Sequence, residues 1–234
     1  MFIERFEDKG LSQYSYVVAC EGKGECAIVD PRRDVDVYLA AHPDDRPGFA
    51  AFAKEAAAYA KEHPDAPKEL GTGVTFTPFA PKEEPAFLDL VASQDVIGFS
   101  YFPGLGTSDP GASSDVAATV TQLADVAGDR PIVLQAAGLA TDPAAGGSED
   151  AQQKFFATLF GAVAARRQSF ALVNVVELFD APGAACLAWA EEQGGAPDGP
   201  LAAYACSLGL FGDDGTPRPA WGSVLAGSAA LSTP

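Results

Sequence analysis

The spacing of hydrophobic positions changes along this chain. In the first forty residues, two apolar, β-branched runs, 14–20 and 25–30, stand on either side of Glu21–Gly24. Glycine supplies the positive φ angles that a tight hairpin needs, so this pattern predicts two antiparallel strands joined by a turn. From Asp34 onward, short apolar runs alternate with segments of helical spacing, which predicts alternating strands and helices.

Four of these runs are continuous enough to form a parallel sheet covered by helices. The predicted strands are residues 73–77, 95–101, 131–135 and 170–176. Helices are predicted over residues 46–62 and 83–91, over a segment that Ser114 caps and Gly128 ends, and over 148–167, with long loops at 102–113, 137–147 and 178–199. We therefore predict an α/β fold, in which a partial TIM-barrel-like parallel sheet of four βα units follows an N-terminal β-hairpin.

One helix is marked clearly at both ends. Ser148 is a typical N-cap, Glu149 and Asp150 follow in the first turn, and Arg166 and Arg167 stand in the expected last turn. Acidic residues near the start and basic residues near the end both favour the helix dipole. Its predicted buried face consists of Phe155, Phe156, Leu159, Phe160 and Val163.

Composition excludes several classes of protein. Hydrophobic residues make up 47 % and charged residues 20 % of the chain, which is typical of a globular protein. The formal net charge of −17 argues against nucleic acid or an anionic membrane as a partner. The start of the chain is charged from Glu4 onward, unlike a signal peptide, so a cytoplasmic location is expected.

Cysteines and histidines give no metal pattern. Cys20 and Cys26 flank the predicted hairpin turn, where they could face each other, and free thiols are expected there. Cys186 and Cys206 are widely spaced and lack zinc-ligand spacing. No phosphate-binding or dinucleotide-binding motif occurs, so no cofactor is expected.

The segment 1–38 begins with Met1–Phe6 and continues with a run from Ala27 through Asp30-Pro-Arg-Arg to Tyr38. These residues resemble the start of metallo-β-lactamase-fold hydrolases of the glyoxalase II and persulfide dioxygenase type. That family requires a His-x-His-x-Asp-His metal motif, but this chain has only His42 and His63, each alone. Two isolated histidines cannot build a binuclear site, so no metal is expected.

A second resemblance rests on four stretches, residues 36–44, 95–103, 130–138 and 209–221, the last ending in Gly-Thr-Pro-Arg-Pro-Ala-Trp. Through them, residues 36–225 resemble the C-terminal half of a (β/α)8 glycoside hydrolase of the two-glutamate retaining clan, the galactanase and β-glycosidase group. The resemblance implies a carbohydrate ligand and two catalytic carboxyl groups, about 5 Å apart.

Both of the implied catalytic positions depart from the family pattern. The acid/base glutamate should follow an asparagine, but Arg32, Arg33 and Asp34 stand there. The nucleophile should follow Gln135, but position 136 is alanine. Alanine can neither attack an anomeric carbon nor stabilise an oxocarbenium ion, so the chain is expected to be catalytically inactive.

The two resemblances meet at Asp34–Leu39, which fits both families and predicts a junction. We therefore divide the chain into a hairpin element, 1–33, and a glycoside-hydrolase-like domain, 34–234. The junction leaves open whether the chain is natural, misassembled or artificial.

Other residues are candidates for a site at the carboxyl ends of the strands. Glu177 could pair with Asp34 as catalytic carboxylates of an active glycosidase, which is the alternative to an inactive chain. Substrate-binding candidates are Tyr101, Gln135, Asp180 and Trp189. Tyr101 could instead pack in the core, Asp180 could begin a loop and Trp189 could belong to an amphipathic helix.

Three functional classes therefore compete: weak carbohydrate binding without catalysis, an active O-glycosyl hydrolase, and a relative of metallo-β-lactamase-fold hydrolases without its metal motif. An incomplete barrel also leaves two unpaired sheet edges, so we expect a homodimer formed through them, unless the hairpin covers one.

Overall fold

The structure is a computed structural model. It describes residues 2–8, 13–20, 25–29, 54–55, 57–59, 61–62, 71–76, 92–105 and 115–232. The chain separates into two compact units, one of Met1–Val74 and Pro81–Asp95, the other of Thr75–Ala80 and Val96–Pro234. The predicted division between residues 33 and 34 lies outside the described residues and stays a prediction.

The first unit contains an antiparallel sheet of three strands. These are β1 (Phe2–Asp8), β2 (Gln13–Cys20) and β3 (Glu25–Val29), in the order β1-β2-β3. The predicted hairpin is confirmed as β2 and β3, and β1 extends it. The register pairs Cys26 with Ala19 and Cys20 with Glu25, so the two cysteines are not directly opposite each other.

The predicted helix over 46–62 is confirmed only where it is described, at residues 54–55, 57–59 and 61–62. The predicted helix over 83–91 lies outside the described residues. Asp95 of this unit accepts hydrogen bonds from the backbone N–H (2.9 Å) and hydroxyl (3.1 Å) of Thr72 and pairs with Lys61. The hydrogen bond from Lys61, followed by that from the Thr72 backbone, lowers the pKa of Asp95 to about 2.

The second sheet has the strand order β4-β5-β6-β7. The strands are β4 (Gly73–Phe76), β5 (Val96–Tyr101), β6 (Ile132–Ala137) and β7 (Phe170–Val175). The pairs β5–β6 and β6–β7 are parallel. Neighbouring parallel strands in sequence order, with helices between them, are the arrangement of successive units of a (β/α) barrel. The α/β fold with a partial barrel-like sheet is thus confirmed.

Two helices, α1 (Val116–Ala127) and α2 (Glu149–Ala165), connect these parallel strands. The cap of α1 is Asp115, whose carboxylate accepts from the Ala118 N–H at 2.8 Å, and not the predicted Ser114. Gly128 ends α1 at φ 61°, as expected for a residue that needs the left-handed region.

The start of α2 is confirmed, but its end was predicted too late. The Ser148 hydroxyl accepts from the Ala151 N–H at 3.1 Å. The helix ends at Ala165, and Arg166 is its C-cap, with its N–H bonded to the Val163 carbonyl. Arg167 already belongs to a 3₁₀ turn. The tighter turn removes both arginines from the last turn of α2.

The core of the second unit lies between the sheet and its helices. The five residues predicted as the buried face of α2 are all buried, as are Ile97 of β5 and Ile132 and Leu134 of β6. A last helix, α5 (Pro219–Ser232), packs against α2. A Cβ at Gly227 of α5 would collide with the ring of Phe160, so glycine allows this close approach.

The segment predicted as a loop over 178–199 contains a helix. This is α3 (Gly183–Glu192), and α4 (Pro200–Ala205) follows it. A disulfide between Cys186 and Cys206 joins the two, with Cα atoms 5.1 Å apart. This pairing could not be predicted from the sequence, because it depends on how α3 packs against α4. Of the helices that the structure describes, not one has the length and apolarity to cross a membrane.

Candidate functional site

The carboxyl ends of β5, β6 and β7 meet at one edge of the sheet because the strands are parallel. Sites in barrel folds are built at this edge. On β6, Ile132 and Leu134 are fully buried, whereas Gln135 is exposed. The Asn174 amide donates to the Gln135 carbonyl oxygen at 2.9 Å. Gln135 therefore offers its side-chain amide to solvent near the end of β6.

The end of β6 offers no nucleophile. Ala136 stands there, opposite Ser100 of β5 in the register. A hydroxyl and a methyl group at this edge can contact a ligand, but neither supplies a carboxylate.

The described carboxylate closest to the end of β7 is Glu177, two residues beyond the strand. It is partly exposed, and its carboxylate has no hydrogen-bond or ion-pair partner among the residues that the structure describes. Burial raises the pKa of Glu177, and the negative charge of Asp180 raises it further. Both effects favour the protonated acid over the carboxylate.

Asp180, three residues later, is fully engaged. Arg218 donates from both terminal nitrogens, at 2.8 Å to Oδ1 and 2.6 Å to Oδ2, and the Gly209 N–H donates to Oδ1 at 2.9 Å. Both side chains are little exposed, at 11 % for Asp180 and 12 % for Arg218. Such a bidentate ion pair is a strong, directional contact, so Asp180 has a structural role here.

The same region fixes the backbone that carries Glu177. The Glu177 carbonyl accepts from the Leu210 N–H at 3.1 Å, and Phe179 forms a parallel bridge with Phe211. Arg218 also donates to the Gly209 carbonyl at 2.6 Å. We call residues 177–180, 209–211 and Arg218 the β7 clamp. It fixes the segment after β7, which bends at Leu178.

Three aromatic rings line up within and beside this clamp. The ring centroids of Phe179 and Phe211 are 5.2 Å apart, and those of Phe211 and Trp221 are also 5.2 Å apart. Phe179, at the outer end of the row, is 51 % exposed. Trp221 lies on α5, near the start of the helix.

Tyr101 lies in the core, the second of the two places considered for it. It is only 6 % exposed, and its ring centroid is 5.6 Å from that of Phe155 on α2. Burial raises the pKa of the Tyr101 hydroxyl. A contact between Tyr101 and a sugar would need the packing against α2 to open.

A second buried tyrosine, which the sequence analysis did not single out, joins the loops at this edge. The Tyr204 hydroxyl of α4 lies 3.0 Å from the Pro103 carbonyl and 3.1 Å from the Gly138 carbonyl. Burial raises the pKa of Tyr204 above its ordinary value. Tyr204 thus ties the segments that follow β5 and β6 to α4.

The remaining predicted residues are not brought to this edge by any described contact. Trp189 is 41 % exposed on α3, so the alternative of a helix residue is confirmed. Asp34 lies outside the described residues, so its pairing with Glu177 stays a prediction. Within the described part of the chain, no group of three metal-binding side chains occurs.

Sequence reasoning missed Arg218 and Phe179. Arg218 is 38 residues from Asp180, and nothing in its local pattern indicates that partner. The available signal was a lone arginine between two prolines, Pro217 and Pro219, in a segment otherwise rich in acidic residues and glycine.

No family model matches the chain, and no curated protein matches it. The metallo-β-lactamase resemblance of the first residues is therefore not supported.

Solved glycosidase structures are similar to the chain at low identity. One is a glycoside hydrolase family 17 β-1,3-glucanosyltransferase from Rhizomucor miehei (TM-score 0.46, 17 % identity, 78 % of this chain and 59 % of that chain). Others are an endo-laminarinase from Formosa Hel1_33_131 (0.48, 15 %, 80 % and 54 %) and a thermostable xylanase mutant from Cellvibrio japonicus (0.49, 16 %, 78 % and 55 %). The chain spans little more than half the length of each.

Proposed function

We propose that this chain binds a carbohydrate at the carboxyl ends of β5–β7 without hydrolysing it. The observation that carries the proposal is the asymmetry of this edge. Glu177 presents one available carboxyl group after β7, whereas β6 ends in Gln135 and Ala136. One carboxyl group and one amide can hydrogen-bond sugar hydroxyls, but two-carboxylate hydrolysis needs a second acid within about 5 to 9 Å.

Asp180 does not fill this second role. Both of its oxygens accept hydrogen bonds from Arg218, and the backbone N–H of Gly209 donates to one of them. Using Asp180 as a nucleophile or base would require breaking a pair that is shielded from solvent, which is costly.

The test combines a binding assay with a turnover assay on the full chain. We expect saturable calorimetric binding of a neutral oligosaccharide, weakened in Glu177→Gln and Gln135→Ala. We expect no release of nitrophenol from a panel of nitrophenyl glycosides. An exposed leucine on α5 offers a matched control, Leu225→Ala, which should bind like the parent chain. No binding to any sugar would overturn the proposal.

An active glycosidase using Asp34 and Glu177 is the second candidate. The raised pKa of Glu177 favours it, because a general acid must hold its proton near the working pH. Turnover of any nitrophenyl glycoside that is lost in both Asp34→Asn and Glu177→Gln would establish this candidate and exclude simple binding.

Self-association through the open sheet edge is proposed as well. β7 is the last strand in the described sheet order, it carries no charged residue, and Leu172 on it is 54 % exposed. In a chain of net charge −17, an uncharged edge strand is where two copies can approach without repulsion. Sedimentation velocity should show a dimer that Leu172→Lys dissociates; a monomer at every concentration contradicts it.

We propose an oxidising compartment, in place of the cytoplasmic location expected from the sequence. The reason is the Cys186–Cys206 disulfide, because reducing compartments keep cysteines as free thiols. Mass spectrometry of protein alkylated before reduction should show two unmodified cysteines at these positions; alkylation of both would contradict the proposal.

A further inference from the structure

We propose that the segment carrying α3 is a redox-controlled strap. The Cys186–Cys206 disulfide holds it against α4, and reduction by a dithiol releases it while the rest of the second unit stays folded. We call residues 181–199 the α3 strap. This behaviour does not require that the chain binds a carbohydrate.

The helix within the strap buries little apolar surface. Of the ten residues of α3, only Cys186 and Ala190 are buried, and Trp189 is 41 % exposed. One of these two buried side chains is itself a disulfide cysteine. A helix of this length is marginal in water unless packing stabilises it. The covalent bond to α4 is therefore the main anchor of α3.

The backbone hydrogen bonds at both ends of α3 are local to the strap. At the start, the Cys186 N–H donates to the Pro182 carbonyl at 3.1 Å, and at the end the Gly195 N–H donates to the Ala190 carbonyl at 2.8 Å. Between them, Gly194 has a φ of 79°, which glycine adopts at no steric cost. Movement of the strap away from α4 breaks neither of these bonds.

Both ends of the strap join backbone that is fixed independently of the disulfide. Before the strap, Asp180 belongs to the β7 clamp, where Arg218 binds both of its carboxylate oxygens. After the strap, the Tyr204 hydroxyl of α4 lies within hydrogen-bonding distance of the Pro103 and Gly138 carbonyls. Opening the disulfide therefore frees a segment between two anchored ends.

The two cysteines differ in their surroundings. Cys206 is on the anchored side, since the hydroxyl of the next residue, Ser207, accepts from the Asp142 N–H at 3.0 Å and donates to the Ala203 carbonyl at 2.8 Å. Cys206 is partly exposed, whereas Cys186 is buried. Attack by a reductant is therefore expected at Cys206, with Cys186 as the leaving group.

Thiol–disulfide exchange supplies the chemistry. A thiolate of the dithiol attacks Cys206 Sγ and forms a mixed disulfide, and Cys186 leaves as a thiolate that takes up a proton. The second thiol of the dithiol then displaces Cys206. Two electrons and two protons pass to the protein, and the dithiol becomes a cyclic disulfide. The Gly183 carbonyl, 3.3 Å from Cys186 Sγ, can accept a hydrogen bond from the new thiol.

The experiment is amide hydrogen exchange of the full chain before and after treatment with dithiothreitol. Cys20→Ser with Cys26→Ser gives a parent chain in which Cys186 and Cys206 are the only cysteines. After reduction, we expect exchange within α3 to accelerate at least about tenfold, whereas α2 stays protected at least about a hundredfold relative to an unstructured peptide. Alkylation and mass spectrometry confirm that both thiols are present.

Proteolysis gives a second measurement. A glutamate-specific protease should cleave after Glu191 and Glu192 at least about tenfold faster in the reduced chain. Trypsin is the matched control, because no lysine or arginine lies between Arg167 and Arg218. Tryptic cleavage reports opening outside the strap and should accelerate less than cleavage by the glutamate-specific protease.

Cys186→Ser with Cys206→Ser, made in the same parent chain, should match the reduced parent without any reductant and should not respond to dithiothreitol. Unchanged exchange in α3 after reduction would overturn the strap. So would a disulfide that dithiothreitol reduces only in denaturant, since the bond would then be inaccessible in the folded chain. Loss of protection in α2 together with α3 would also overturn it, because the disulfide would then hold the whole unit together.

Discussion

Glu177 and Asp180 are three residues apart after the same strand, yet their surroundings are opposite. Asp180 accepts three hydrogen bonds, two from Arg218 and one from Gly209, and is almost buried. Glu177 has no described side-chain partner, and burial together with Asp180 raises its pKa. Whether each carboxylate has a structural role or is available to a ligand therefore depends on its partners.

Breaking the Arg218–Asp180 pair should have the largest effect on stability. Arg218→Met leaves Asp180 shielded from solvent without a counter-charge, which we expect to lower the free energy of unfolding by about 4 kcal/mol. Urea denaturation followed by circular dichroism measures it. Arg218→Lys keeps the charge but loses the bidentate geometry, so we expect about half the decrease in the free energy of unfolding. If Arg218→Met lowers the free energy of unfolding by less than about 1 kcal/mol, the Arg218–Asp180 pair does not stabilise the fold.

Removing the disulfide should have a slightly smaller effect on stability and should not change the surroundings of Glu177 or Asp180. Cys186 and Cys206 are 20 residues apart, and replacing both with serine should lower the free energy of unfolding by about 3 kcal/mol. Neither cysteine belongs to the β7 clamp, so the titration of Glu177 followed by carboxyl-carbon NMR should not move. A change in the pKa of Glu177 would mean that the packing of α3 and α4 influences the environment of this carboxyl group.

Replacing Glu177 should have the smallest effect on stability. A carboxyl group whose pKa is raised by folding destabilises the native state once it ionises, as pH rises from its unfolded value through its raised native value. Glu177→Gln should therefore be slightly more stable than the parent chain at pH 7 and equal to it at pH 3. Thermal melts at the two pH values measure this. A variant less stable at pH 7 would mean that Glu177 has a stabilising partner.

The sequence predicted the elements whose signals are local. α2 carries its own cap at Ser148 and its own apolar face, and the four strands of the second sheet are continuous apolar runs, so each could be predicted without knowing its neighbours. The placement of Gln135 and Ala136 at the end of β6 followed from the same pattern.

What the sequence could not predict depends on residues far apart in the chain. The partner of Asp180 is 38 positions away, and the disulfide depends on packing between α3 and α4. Glycine and proline around 178–199 predicted a loop, but the alanine-rich stretch within it forms α3. Tyr101 was ambiguous because side chains alternate between the two faces of a strand, and only the contact with Phe155 identifies its face.

An amide NMR titration with methyl β-D-glucopyranoside, with the sugar signals recorded over a day, tests directly whether the end of β7 is a non-hydrolytic sugar site. We expect saturable shifts concentrated in residues 177–180 and 209–211, with the glucoside unchanged. Shifts elsewhere, no shifts at all, or accumulating free glucose and methanol would contradict it.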